Sequence, residues 1–126
     1  MNLPRTLILA ALLLAAPLVH ALEIAPYTAD KLAAAQAAGK PVALHFHADW
    51  CPTCRAQAKT LAALTADKAL DLTVLVANYD TEKALKHTYG VREQSTLIVF
   101  RGRDEKARLV GETTAPKISA ALKAAL

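Results

Sequence analysis

Cysteine is nearly absent from this sequence: its 126 residues contain two, Cys51 and Cys54. A structural staple is a poor use for them, because a bridge between residues three apart closes too small a loop to restrict the unfolded chain much. No methionine-rich tract and no further Cys/His tract accompanies the pair, which weakens a reading as a metal carrier. Clustered charge is missing as well. The 15 Lys and Arg are scattered among 11 Asp and Glu, for a formal net charge of +4. That is too mild and too dispersed to point to nucleic acid, and solvated faces account for it. There is no internal repeat, no linker and no low-complexity segment beyond a bias to alanine. The 54% hydrophobic content in a chain of this length suffices for one domain with a real core and is too little for two.

The longest apolar run stands at the start. Met1 to Arg5 carries one positive charge, Thr6 to Leu18 is almost wholly apolar, and Val19-His20-Ala21 ends in small-residue cleavage style. This pattern is that of a secretory signal peptide. The run is short for a membrane span, which needs about 20 residues, so residues 1–21 are expected to be removed and 22–126 to form the mature domain. An uncleaved anchor is the alternative. After cleavage no stable membrane insertion is expected. Export, into the periplasm of a bacterium, places the thiols in a compartment where disulfides form.

The remaining argument turns on Trp50-Cys51-Pro52-Thr53-Cys54. Upstream, Pro41 to Ala48 (PVALHFHA) is an apolar run with β-branched and aromatic residues, the mark of a buried strand. Downstream, Arg55 to Leu64 (RAQAKTLAAL) places Ala56, Leu61 and Leu64 at helical spacing without Gly or Pro. Cys51 therefore falls at a helix N-terminus, with Pro52 in the first turn, where its missing N–H costs nothing. Free backbone N–H groups and the positive end of the helix dipole favour a thiolate, and cysteines so placed titrate anywhere from about 3.5 to 7.5. Cys51 is the expected nucleophile. Cys54, on the same helix face, is placed to attack a mixed disulfide at Cys51 and release the partner. A lone C-x-x-C can be a redox pair, half of a metal site, or neither; the strand before it and helix after it favour the redox pair.

In chain order, Leu22 to Tyr27 suits a short strand cut off by Pro26. Thr28 to Gln36 suits a helix capped by Thr28 or Asp30 and stopped by Gly39. Asp71 to Asn78 reads as a second buried strand, and Asp80 or Thr81 as the cap of a short helix over Glu82 to His87 that ends near Gly90. Ser95 to Phe100 is a third strand, Arg101 to Lys106 a hairpin turn into Ala107 to Val110, and Lys117 to Leu126 a closing amphipathic helix after Pro116. This succession predicts an α/β fold with a mixed sheet and helices on both faces.

At PVALHFHADWCPTCR, Asn78-Tyr79-Asp80, and Tyr89-Gly90-Val91-Arg92 followed by Thr96-Leu97-Ile98-Val99-Phe100, the chain resembles the thioredoxin family over nearly all of its mature length. The resemblance implies a thioredoxin-like fold with a mixed four- to five-stranded sheet, a C-x-x-C projecting at the surface, and thiol-disulfide oxidoreductase activity. Its implied partners are exported protein thiols and disulfides and a redox partner that recycles the Cys51-Cys54 pair. No cofactor beyond that pair is implied, and a monomer is expected.

Three departures stand out. Ser95 occupies the place of the family's cis-proline, so this peptide is either trans or cis at a cost of about 2.5–4 kcal/mol. His45 stands where the family often buries an aspartate beneath the resolving cysteine, and Val76 where it has a lysine. The dipeptide between the cysteines is Pro-Thr, which fixes no direction of electron flow. His45 and His47 share one strand face; His45 could accept the proton of Cys54, whereas His47 and His87 read as partly or fully solvated polar residues. Trp50 is expected to shield the pair and help dock a partner. Gln94 is expected to offer backbone groups to an extended substrate, and the Ser95 hydroxyl to hydrogen-bond the Cys51 sulfur. The rival readings are metal handling by two thiolates with one or two imidazoles, and a non-catalytic binding module.

Overall fold

The computed structural model describes residues His20–Leu126. The signal-peptide expectation falls on residues 1–21, all but the last two of which lie outside the described residues. Among the described residues the elements are, in order, β1 (Glu23–Pro26), α1 (Ala29–Ala37), β2 (Pro41–His47), α2 (Pro52–Leu64), β3 (Thr73–Asn78), α3 (Lys83–Tyr89), β4 (Thr96–Arg101), β5 (Asp104–Val110) and α4 (Ala115–Lys123). The strands form one five-stranded sheet in the order β1-β3-β2-β4-β5. β3 runs parallel to both β1 and β2, while β4 is antiparallel to β2 and β5. The strand that leads to Cys51 is thus the middle one.

Alternation along β2 divides the core in two, because successive side chains leave opposite sides of a pleated strand. Val42, Leu44 and Phe46 join Leu32 of α1, Leu85 of α3, Ile98 and Phe100 in one apolar layer. Ala43 faces the other side, where Leu61 of α2 and Ile118 and Leu122 of α4 meet Val74, Leu97 and Val99. His45 and His47 fall on this second side by the same period, and their rings stand 5.4 Å apart. Apolar burial on both sheet faces explains why β2 and β4 read as continuous hydrophobic runs.

Local signals account for most boundaries. The Thr28 hydroxyl accepts from the Lys31 N–H and caps α1, and Gly90 ends α3 in the left-handed conformation that favours glycine. Three expectations shift. Neither Asp80 nor Thr81 caps α3; the N-cap is Glu82, with no side-chain cap bond. The Asn78 side chain instead accepts from the Asp80 and Thr81 N–H groups, a local bond that competes with helix capping. The hairpin turn is tighter than Arg101 to Lys106, since Arg101 pairs with Asp104 and only Gly102 and Arg103 lie between. Pro116 sits inside the first turn of α4, where its missing N–H would have had no helical partner.

Gly102 is required at that turn. Its φ of 58° is left-handed, and a Cβ there would come within 3.3 Å of the Gly39 Cα, while its N–H donates to Lys40 O at 2.9 Å. Gly102→Ala should therefore destabilise the fold by about 1–2 kcal/mol, measured as a lower denaturant midpoint at unchanged slope. A midpoint at or above that of the unmodified protein would show that the turn relaxes freely.

Candidate active site

β2 delivers Cys51 to the first turn of α2. Cys51 is the N-cap residue, with extended backbone, and its Sγ accepts from the Cys54 N–H at 3.1 Å. Pro52 occupies the next position, as a helix start tolerates. Both cysteines are free thiols and both are buried, Cys51 at 3% exposure and Cys54 at 0%. The implied projection at the surface is thus corrected: Ala48 and Tyr79 pack around the pair, and Ser95, just before β4, contacts both sulfurs. What stands exposed beside the pair is Trp50, whose indole N–H donates to Asp80 Oδ2 at 2.8 Å.

Ser95 is the hub. Its Oγ lies 2.9 Å from Cys54 Sγ and 3.4 Å from Cys51 Sγ. There is no cis peptide bond among the described residues, so the Gln94-Ser95 bond is trans, and Ser95 takes a left-handed φ of 61°. A side chain in that region costs about 1–2 kcal/mol relative to the right-handed one, and three hydrogen bonds offset it. The Ser95 N–H donates to Phe46 O, while Ser95 O accepts from the Gly111 N–H and from Gln57 Nε2. Gln94 is half-buried in the bend before it.

These contacts drive the two thiols apart. Burial pushes Cys51 up, but hydrogen bonds from the Cys54 thiol, the Ser95 hydroxyl and the backbone N–H groups of Cys54 and Thr53 outweigh it and hold Cys51 below the ordinary thiol value. Burial and the Cys51 sulfur push Cys54 above it, against the Ser95 hydroxyl. An acidic and a reluctant thiol in contact can perform sequential attack and resolution.

His45 is buried at 1% exposure, and no hydrogen bond joins it to Cys54 among the described residues. Its Nε2 has no partner. Burial and then the His47 imidazole lower its pKa from 6.5 to about 4, with a Gln57 contact opposing. His47, partly exposed, contacts Asp49 at 2.9 Å. Ile24, Ala58, Leu61 and Val76 complete a small cavity of about 90 Å³ around the two rings. Among the described residues no group of three or more His, Cys, Asp or Glu could hold a metal ion, and no helix is long and apolar enough to cross a membrane.

Gln57 was not visible from sequence. Ala56, which the helical spacing grouped with Leu61 and Leu64, is exposed, and the buried positions of α2 are Cys54, Gln57 and Leu61. The signal was its spacing: three residues after Cys54, it shares the face that carries the thiol.

An open α/β sheet that carries a Cys-X-X-Cys pair from its middle strand into a helix N-terminus defines the class of dithiol-bearing α/β proteins. The chain belongs to the thioredoxin family, whose model matches residues 24–124. It is 34% identical over 71 residues to the chloroplastic M-type thioredoxin of Zea mays, covering 56% of this chain and 42% of that protein. It is 35% identical over 72 residues to a thioredoxin of Mycobacterium bovis, covering 57% of this chain and 62% of that one. The match thus spans about half the length of these relatives. Among solved structures, Trxlp from Edwardsiella tarda EIB202 superposes with a TM-score of 0.75 at 40% identity, over 79% of this chain and 98% of that chain.

A His45 held neutral makes stability depend on pH. Its folded pKa lies below its unfolded value, so the unfolded chain takes up the proton first as pH falls. The stability linked to neutral His45 is complete above about 6.5 and is lost progressively down to about 4, amounting to roughly 3 kcal/mol. Denaturation midpoints across that window should decline, and His45→Leu should flatten the decline. An equal slope in the variant would assign it to other groups.

Proposed function

We propose that this protein is a thiol-disulfide oxidoreductase that exchanges disulfides with exported protein substrates. The observation that carries this reading is the pair of thiols at a helix start, Cys51 Sγ accepting from the Cys54 N–H and both sulfurs in contact with one serine hydroxyl, an arrangement that lowers the pKa of Cys51 while burial raises that of Cys54. Cys51 thiolate attacks a client disulfide, forming one S–S bond as the client's breaks and releasing a client thiolate. Cys54 then attacks Cys51 Sγ, closing the Cys51-Cys54 disulfide and releasing the second client sulfur. The proton that leaves Cys54 ends on the departing client sulfur; the Ser95 hydroxyl, in contact with Cys54, hydrogen-bonds its sulfur as the proton leaves, while His45, with a lowered pKa and no bond to Cys54, is a poor base. No cofactor beyond the cysteine pair is invoked.

Trp50 offers an exposed apolar face beside the pair. The peptide groups of Gln94 make no backbone hydrogen bond among the described residues, which suits an added substrate strand. Export to a periplasm rests on the apolar leader ending at Ala21, and a separate redox protein would recycle the pair of a monomeric domain.

Alkylation should modify Cys51 well below pH 8 and Cys54 slowly, and Cys54→Ser should accumulate mixed disulfides that Cys51→Ser does not. A faster Cys54 would reverse the roles. Failure of Cys54→Ser to trap any disulfide-bearing client would remove the proposed activity. The reduction potential sets direction: near about −270 mV the protein donates electrons, and near about −120 mV it accepts them.

A further inference from the structure

Gln57 is an anomaly in the helix that carries the cysteines. It is fully buried on α2, between Cys54 and Leu61 on the face turned to the sheet, and a buried amide persists where its donors are satisfied. Its Nε2 donates to two carbonyls, Ser95 O at 3.2 Å and Glu112 O at 2.8 Å. The orientation of the amide follows: reversed, it would set Oε1 against both carbonyl oxygens. Oε1 is left without a hydrogen-bond partner, as is Nε2 of His45, a side chain on which Gln57 acts.

We propose that Gln57 is a positioning residue of the cysteine pair, clamping the Ser95 carbonyl so that the Ser95 hydroxyl stays between the two sulfurs. Phe46 and Gly111 tie Ser95 to the strand and to the end of the hairpin. Of the three groups that hold the Ser95 backbone, Gln57 alone belongs to the helix that carries Cys54, one turn away, so it references the hydroxyl to the sulfur it must meet. Without that tie, a serine in the left-handed region is free to relax and carry Oγ off the sulfurs. Its second carbonyl anchors the clamp to the segment before α4. There the Glu112 carboxylate is itself fixed by Thr113, Thr114 and Lys117. The titratable groups around the clamp are therefore Cys51, Cys54 and His45, with the Glu112 carboxylate turned to its own partners.

The inference deepens the exchange reading, but its test reads thiol ionisation and needs no client. Gln57→Met keeps the length of the side chain and removes both donors. It and Ser95→Ala should each slow alkylation of Cys51 at neutral pH about tenfold, the worth of one hydrogen bond to a charged sulfur. The double variant should be no slower than Ser95→Ala alone, because Gln57 acts through that hydroxyl. A folded Gln57→Met that titrates as the unmodified protein does, or effects that multiply in the double variant, would overturn the proposal. In the unmodified protein, nuclear magnetic resonance should show both Gln57 side-chain amide protons exchanging slowly with solvent and shifting on Ser95→Ala. Rapid exchange would refute the clamp whether or not Gln57→Met folds. Loss of client trapping with these thiol readouts intact would count against the exchange reading alone.

Discussion

A hydroxyl has one hydrogen, and Ser95 presents it to two sulfurs at once. It can donate to one of them only while accepting from the other, so the contact is self-consistent when Cys51 is the thiolate and Cys54 keeps its proton. The helix start reinforces the same choice, because the Cys54 N–H donates to Cys51 Sγ. Burial makes the choice matter: with water excluded, a second negative sulfur in contact with the first is strongly disfavoured. The asymmetry between two chemically identical side chains thus comes from the Cys54 thiol, the Ser95 hydroxyl and the peptide N–H groups at the helix start, and the fold serves to hold these in place.

What holds them is the arrangement of β2 and β4. Antiparallel pairing sets Phe46 opposite Thr96, so the bond from the Ser95 N–H to Phe46 O continues the ladder by one step past the strand's formal start. The same pleat that sends Phe46 into one apolar layer sends His45 and His47 into the other, toward α2. A shift of one residue in β2 would exchange these layers, burying the imidazoles among Leu32 and Leu85 and turning Phe46 toward the helix that carries the thiols. Register, fixed by aliphatic packing far from the chemistry, therefore decides which polar groups lie under α2.

Much of this was legible in the sequence, and the reasons are local. Strand and helix around Cys51 follow from residue type and spacing, and the caps at Thr28 and Gly90 from side-chain chemistry that acts within a few residues. The errors are local competitions of the same kind: Asn78 accepts from the N–H groups of Asp80 and Thr81, the residues that were expected to cap α3, and a two-residue turn at Gly102 sufficed where polar composition had spread it over six residues. The site was less legible because its decisive bonds span the chain. Nothing near Ser95 in sequence announces a left-handed backbone. Its partners, Phe46, Gln57 and Gly111, are brought together only by the sheet and by the packing of α2 on it. Gln57 itself was hidden by an alanine-rich helix in which several faces read as apolar.

The substitution at the proline position is best understood as a change in what enforces the geometry beside the sulfurs. A proline carries its constraint within its own ring, through a fixed φ and an absent N–H. A serine carries none, and it brings a free N–H that a buried site must satisfy. Here Phe46 O takes that hydrogen, which a proline could not have supplied, and Gly111 and Gln57 hold the carbonyl. The constraint has moved from one residue to its neighbours, and a hydroxyl has been gained at the point nearest both sulfurs. Serine at this position is therefore compatible with an ordered site only together with an acceptor on β2 and a donor on α2, and a buried glutamine on the thiol-bearing face is the side chain that meets the second requirement.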